Sequence, residues 1–307
     1  MPNKDAIPRL GIQSAEFDDI DAQSAQLSGY DQSYRQLSRG RFVGQFTSLE
    51  VPGAGLHVER CNQVIEQAAA VPAGQVALIF LLDGLQPTRF GQRPFGRQSA
   101  ALVSAGQQIE FCNAVDTTIC VLALSIQVIE SALAERARNV ARASVFSDPL
   151  SVERLRRRAS GLIGDALTGQ ILRDTAPRLT ASFADLLVDA LPPSASEQAV
   201  AQRSRPNLFL QARAHIHDHL DRVTVAGIER HLAVSRRSLE YAFEAAVGLS
   251  PQRYIAMCRL NAIRRDLLNT TDSIGDVAAR HGVWHLGRFA GAYRAAFGEL
   301  PSATRNR

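Results

Sequence analysis

A pattern of about fifty residues occurs twice between Thr224 and Pro301, and it limits what this chain can fold into more than any other feature. Shifting the sequence by fifty places Leu239 on Phe289, Phe243 on Tyr293, Val247 on Phe297, and Gly248-Leu249-Ser250-Pro251 on Gly298-Glu299-Leu300-Pro301. Upstream the offset is 49, with Thr224 on Ser273 and Ile228 on Val277, so one extra residue falls in the turn of the second copy near Gly282-Val283. Each copy reads as a helix-turn-helix. In the first, Thr224 caps a helix over Val225–Leu232, Ala233-Val234 form the turn, and Ser235 caps a second helix from Arg236 to about Ala246, stopped by Gly248. Leu239, Ala242 and Phe243 share the inward face of that helix, which leaves Arg236, Arg237, Glu240 and Tyr241 outward. Such side chains hydrogen-bond base edges and phosphates when a helix enters the major groove. Between the copies, Gln252–Leu268 carries a helical apolar period and reads as a rod that spaces the two units. Two heads on one face of a duplex would lie about one turn apart, roughly 34 Å.

The charge distribution agrees with a polyanion partner at one end only. From Arg205 onward there are 15 Arg and 9 acidic residues, net +6, whereas the rest of the chain is net −2. The two outward faces differ. Arg236, Arg237, Glu240 and Tyr241 correspond to Leu286, Gly287, Ala290 and Gly291. The first head is therefore expected to read bases. The second is expected to anchor through Trp284, His285, Arg288 and Arg294 to phosphates, with Leu286 limited to a thymine methyl. Packing of Trp284 and Arg288 on the domain surface is the alternative.

Several landmarks in this block closely resemble the DNA-binding domain of the AraC/XylS family of bacterial transcription regulators. They are Ser235-x3-Leu239-x3-Phe243, Gly248-x2-Pro251, Tyr254-x4-Arg259-Leu260, Ile274-x2-Val277-Ala278-x3-Gly282, and His285 to Phe289 followed by Phe297-Gly298-x2-Pro301-Ser302. Val283 stands where that family usually has an aromatic and Ala233 where a glycine is common. The resemblance implies a sequence-specific binder of double-stranded promoter DNA. It further implies an activator that contacts RNA polymerase and has a cupin-like sensory domain upstream.

That upstream region has its own texture. Between Arg41 and Ser125, short β-rich runs alternate with turn signals: Phe42–Val51, Gly55–Cys61, Val64–Ala70, Val76–Leu82, Thr88–Phe90, Ser99–Val103, Ile109–Phe111 and Thr117–Leu124. This spacing predicts an antiparallel barrel or jelly roll with Val76–Leu82 and Cys120–Leu124 central. Residues 1 to about 40 read as an irregular arm with a short helix near Asp18–Leu27. Ile126–Ala143, Val152–Ile163 and Ala181–Leu191 read as helices that either form a dimer contact or bury their apolar faces within one subunit. The expected class is thus α+β: a cupin-like region over 1–190 with a helical dimerisation segment, a linker over 191–206, and an all-α tandem helix-turn-helix domain over 207–307.

Catalysis and metal binding find little support. His57 is the one histidine of the strand region, too few for a metal cupin. The run His215-Ile216-His217-Asp218-His219 puts His215 and His219 on one helix face without a third ligand, so a solvated or phosphate-facing surface is the favoured reading. No nucleophile elbow, Gly-rich phosphate loop or His-Glu-x-x-His occurs. Cys61, Cys112, Cys120 and Cys258 lack paired spacing and read as buried, reduced thiols. Arg60, Arg89, Arg93 and Arg97 could meet an anionic effector, although solvated edge charges are the favoured reading. With no apolar leader and no long apolar run, the expectation is a cytoplasmic, homodimeric, non-enzymatic regulator without a cofactor, responding to a small organic effector. The alternatives are an effector-independent DNA binder and a cupin-type enzyme carrying a DNA-binding tail. The identity of any effector, the operator and the sign of regulation are not legible in the residues.

Overall fold

The computed structural model describes residues 11–27, 29–84, 88–91, 93–136, 144–170, 176–191 and 208–307. The chain opens with β1 (Gly11–Phe17), α1 (Ile20–Ser24) and β2 (Ser33–Gln36). The strands β3 (Gly44–Val51), β4 (Ala54–Cys61), β5 (Ile65–Ala70), β6 (Gln75–Asp83), β7 (Thr88–Phe90), β8 (Arg93–Phe95), β9 (Ser99–Ser104), β10 (Gln108–Cys112) and β11 (Thr117–Ser125) follow. Then come α2 (Ile126–Arg136), β12 (Ser144–Ser147), α3 (Pro149–Leu167) and α4 (Ala176–Ala190). The C-terminal part comprises α5 (Leu208–Asp218), α6 (Val225–Leu232), α7 (Arg236–Val247), α8 (Pro251–Asn269), α9 (Ile274–Arg280), α10 (Leu286–Phe297) and α11 (Pro301–Arg305).

The strands form two antiparallel sheets, β1-β3-β4-β11-β6-β9-β12 and β2-β5-β10-β7-β8. They stack as a sandwich and do not close into the expected barrel. The larger sheet is covered on both faces. Leu49, Leu56, Leu78, Phe80 and Leu122 pack on Val152, Leu155, Phe183 and Leu187 of α3 and α4, while Ile79, Leu81, Ala101 and Ile119 meet Phe95, Ile109 and Phe111 of the smaller sheet. Burial on both faces is why β6 reads as a continuous apolar run instead of alternating.

The arm expected to be irregular is partly strand. β1 pairs with β3 from Gly11 opposite Glu50 to Phe17 opposite Gly44, and β2 pairs with β5. As an edge strand with most side chains exposed, β1 is held by its backbone ladder and carries no alternating apolar signal. The expected helix near Asp18–Leu27 is α1, capped by the Asp19 side chain. The helix expected over Ile126–Ala143 is present to Arg136; 137–143 lie outside the described residues, as does nearly all of the expected linker.

In the C-terminal part the side-chain caps stand where the sequence placed them. Thr224 accepts from Gly227 N and Ser235 from Ser238 N, and Ser250 and Ser273 cap α8 and α9 in the same way. Gly248 and Gly298 end α7 and α10 in the left-handed conformation, with φ of 68° and 76°. Ala233 adopts the same conformation, φ 52°, at the turn position where glycine was expected. Around α8, a core of Phe209, Leu239, Phe243, Tyr254, Ile263, Val277, Phe289 and Tyr293 joins both helix-turn-helix units.

The helical part is docked on the smaller sheet through buried polar contacts. The Glu66 carboxylate of β5, 4% exposed, accepts from Tyr254 OH at 2.9 and 2.8 Å and pairs with Arg35 at 3.2 Å and Arg213 at 3.4 Å. Arg213 also pairs with Glu110. Farther along α8, Arg264 pairs with Asp19 at 2.9 Å and Glu299 at 2.7 Å, and Arg265 pairs with Asp21 at 2.9 Å. Asn261 bonds both the amide and the carbonyl of Gln36, whose own side chain donates to Ala296 O.

Candidate nucleic-acid interface

The two outward helix faces are open. On α7, Arg236, Arg237, Glu240 and Tyr241 are all exposed, Tyr241 by 62%, and on α10 Leu286 is 49% exposed. Their helices are held from behind by Leu239 and Phe243 in one unit and Phe289 and Tyr293 in the other, all buried. The repeat therefore does what its spacing predicts, presenting one free face per unit from a shared core. Ser235 has its hydroxyl engaged as the N-cap of α7, accepting from Ser238 N at 3.1 Å.

The free faces are internally paired. Arg236 Nε bonds Glu240 Oε1 at 3.1 Å, and Arg237 Nη2 bonds Tyr241 OH at 3.2 Å with its guanidinium over the ring at 5.5 Å. Exposed pairs of this kind contribute little to stability and are readily exchanged for other partners. The face of α10 contains no such network: Leu286, Gly287 and Gly291 are exposed small or apolar positions, and an added Cβ at either glycine would meet nothing within 4 Å.

Trp284 is 74% exposed, so it does not pack away on the domain surface. It borders a cleft between the units that is also lined by Arg222, Thr224, Arg259 and Arg280. Arg222 and Arg280 were not singled out by sequence reasoning, and Arg259 only as a landmark of the resemblance; all three come near Trp284 through the fold. Arg259 is committed to structure, donating to the Leu220 and Val223 carbonyls at 2.9 and 3.0 Å. His285 precedes α10 with no side-chain cap bond, and Arg288 and Arg294 are exposed on that helix.

The histidine run gains a third ring that sequence proximity could not show. His231 of α6 stacks on His215 at 4.1 Å, and His215 on His219 at 4.5 Å. Near-parallel rings do not converge their nitrogens on a point, and among the described residues no group of three ligating side chains suits a metal ion. The four cysteines are free and buried.

Inside the sandwich, a cavity of about 200 Å³ opens beside β4 and is lined by Leu27, Tyr30, Glu50, His57, Gln75 and Ser125 among others. Burial pushes the His57 pKa down to about 4, so the ring is neutral near pH 7, and among the described residues its Nδ1 and the Tyr30 hydroxyl have no hydrogen-bond partner. Arg60, Arg89, Arg93 and Arg97 are not in this lining, and Arg97 pairs with Asp83 at 2.8 Å. The anion-binding role considered for these four has no support in this cavity.

Comparison with known proteins places the repeat in context. A family model described as a helix-turn-helix domain matches residues 228–307. The chain is 47% identical over 74 residues to the XylDLEGF operon transcriptional activator 2 of Pseudomonas putida, a match covering 23% of this chain and 47% of that protein. It is 39% identical over 83 residues to the probable thc operon regulatory protein of Rhodococcus erythropolis, covering 26% of this chain and 25% of the relative. Among solved structures, the AraC-like transcriptional activator CuxR aligns over 88% of this chain and all of that one, with 16% identity and a TM-score of 0.43. The matches thus span a quarter to about half the length of these curated relatives.

Proposed function

We propose that this chain, which carries an AraC/XylS-type helix-turn-helix domain at its C-terminus, is a sequence-specific DNA-binding transcription regulator. The observation that supports this best is the pair of exposed helix faces, one polar on α7 and one small and apolar on α10, carried by a repeated frame with one core. In this reading α7 reads bases through Arg236, Arg237, Glu240 and Tyr241. The second unit anchors to phosphates through His285, Arg288 and Arg294, with Trp284 against the backbone between the grooves and Leu286 meeting a thymine methyl.

The regulator acts in the cytoplasm as a homodimeric activator that contacts RNA polymerase, with the β-rich region 1–190 as sensor, 191–206 as linker and 207–307 as the DNA-binding part. A small organic effector would occupy the cavity beside His57, whose unpartnered Nδ1 supports a ligand with a polar group there. A DNA binder without effector is the second reading; a metabolite panel in a thermal-shift assay separates the two.

The division of labour between the heads is testable by binding to a panel of single-base operator variants. Replacing Arg237 by Ala should relax preference at one position by about 1–3 kcal/mol. Replacing Arg288 by Ala should weaken all sequences alike and reduce the salt slope by about one. Equal loss of base selectivity from both substitutions would refute the assignment.

A further inference from the structure

A carboxylate lies deep in the β-rich region, away from both outward helix faces. Glu59 of β4 is almost wholly buried, and it accepts from Gln23 Nε2 at 2.7 Å, Tyr34 OH at 2.9 Å and Gln67 Nε2 at 3.4 Å. Among the described residues it has no cationic partner. Burial raises its pKa above the ordinary carboxylate value. The three donors come from α1 and β2, which are consecutive in the chain, and from β5, about thirty residues farther on.

These same three elements grip the helical part. Successive residues of a strand point to opposite faces, so a residue that turns inward to Glu59 is flanked by one that turns outward. On β2, Tyr34 reaches Glu59 while Arg35 pairs with Glu66 and the Tyr34 carbonyl receives Arg265. On β5, Gln67 turns inward while Glu66 holds Tyr254 and Arg213. At α1, Gln23 reaches Glu59 while Asp19 and Asp21 hold Arg264 and Arg265.

The grip falls on both halves of the DNA-binding part. Tyr254 and Arg265 lie eleven residues apart on α8, about 16 Å along the helix at ~1.5 Å per residue. Tyr254 and Arg213 sit with the first unit, whereas Arg264, Ala296 and Thr304 sit with the second. Two holds that far apart resist tilting of the rod in a way that one could not. Both recognition faces remain exposed in this docked arrangement, so the contact orients the heads without covering them.

We infer that the β-rich region is a splint that sets the relative placement of the two recognition helices, and that Glu59 is the positioning residue that keeps its three gripping elements in register. The inference rests on the DNA-binding reading above. It is tested with the full chain on a duplex enriched by the wild type from a random library, with one or two base pairs inserted between the two protected halves. Each inserted pair turns one half by about 34–36° relative to the other. The wild type should lose about tenfold or more in affinity per inserted pair, the scale of a coupling of ~1.4 kcal/mol. Glu59→Leu, which removes the acceptor shared by the three donors, should reduce that penalty to less than about threefold. Tyr34→Phe removes one bond and should fall between them; it decides the matter if Glu59→Leu does not fold. A purely structural role would lower thermal stability and active fraction at every spacing while leaving the spacing ratio unchanged, and that result overturns the inference. A wild type indifferent to spacing overturns it as well while leaving DNA binding intact. A wild type that binds no duplex at any salt concentration instead removes the DNA-binding reading, and this inference with it.

Discussion

A Glu66→Ala protein should lose about 3–5 kcal/mol of stability, the range found when one partner of a buried ion pair is removed. Glu66 is 4% exposed at its side chain, and Arg35 and Arg213 are each 15% exposed, so water cannot readily replace the lost carboxylate. The substitution strands one buried tyrosine hydroxyl and weakens the hold on two guanidiniums at once. The cost therefore arises from unpaired groups left behind more than from the attraction that is lost. Glu110→Ala provides the comparison. Its side chain is 21% exposed, and Arg213 would keep Glu66 as a partner, so about 1 kcal/mol is expected. Equilibrium denaturation of the two variants beside the wild type checks the contrast. Similar small losses for both would mean that the docked interface is not a buried clamp.

Gly282→Ala should be the most damaging single-methyl change in the helical part. Gly282 has φ of 74°, which costs an L-residue roughly 1–2 kcal/mol. An added Cβ would also overlap the carbonyl oxygen and carbon of Asp221, which are backbone and cannot rotate aside. Relieving that overlap moves the turn of the second unit away from the loop before α6, at a further cost of about 1–3 kcal/mol. Gly248→Ala carries the first cost alone. Gly248 has φ of 68°, but the nearest atom a Cβ would meet is the tip of Arg89 at 3.8 Å. Thermal melts should show Gly282→Ala losing clearly more than Gly248→Ala, and DNA affinity should fall with it because the two heads are displaced. Equal melts for the two would show that the turn can move freely.

Local chemistry made much of the helical part legible. Thr224, Ser235, Ser250 and Ser273 are capping residues acting within three positions of themselves, and Gly248 and Gly298 mark helix ends where their conformational freedom is needed. The extra residue inferred near Gly282 is real: the N-caps Ser273 and His285 of α9 and α10 are 12 positions apart, those of α6 and α7, Thr224 and Ser235, 11. Between Gly44 and Ser125 the strands were legible from turns and branched side chains, apart from β8 (Arg93–Phe95), which had no run of its own in the reading. Much of what could not be read lies in contacts between residues distant along the chain. Glu66 sits in the unremarkable strand Ile-Glu-Gln-Ala-Ala-Ala, and its partners Arg213 and Tyr254 are 147 and 188 residues away. His231 joins the His215 stack only because α6 folds back on α5. β1 gave no signal because its side chains are mostly solvated and its stability lies in main-chain pairing with β3. The open sandwich, instead of a barrel, depends on how the outer strands of two sheets meet, which a run of strand lengths does not encode.

The most direct test of the central claim, that the repeated helix-turn-helix units grip duplex DNA, is the affinity of the full chain for double-stranded DNA measured across salt concentrations. With several arginines meeting phosphates, log affinity should fall linearly with log salt, by about 0.9 for each phosphate neutralised, and a selected sequence should bind tighter than a random one. Folded protein that shows no salt-dependent attraction to any duplex would contradict the account.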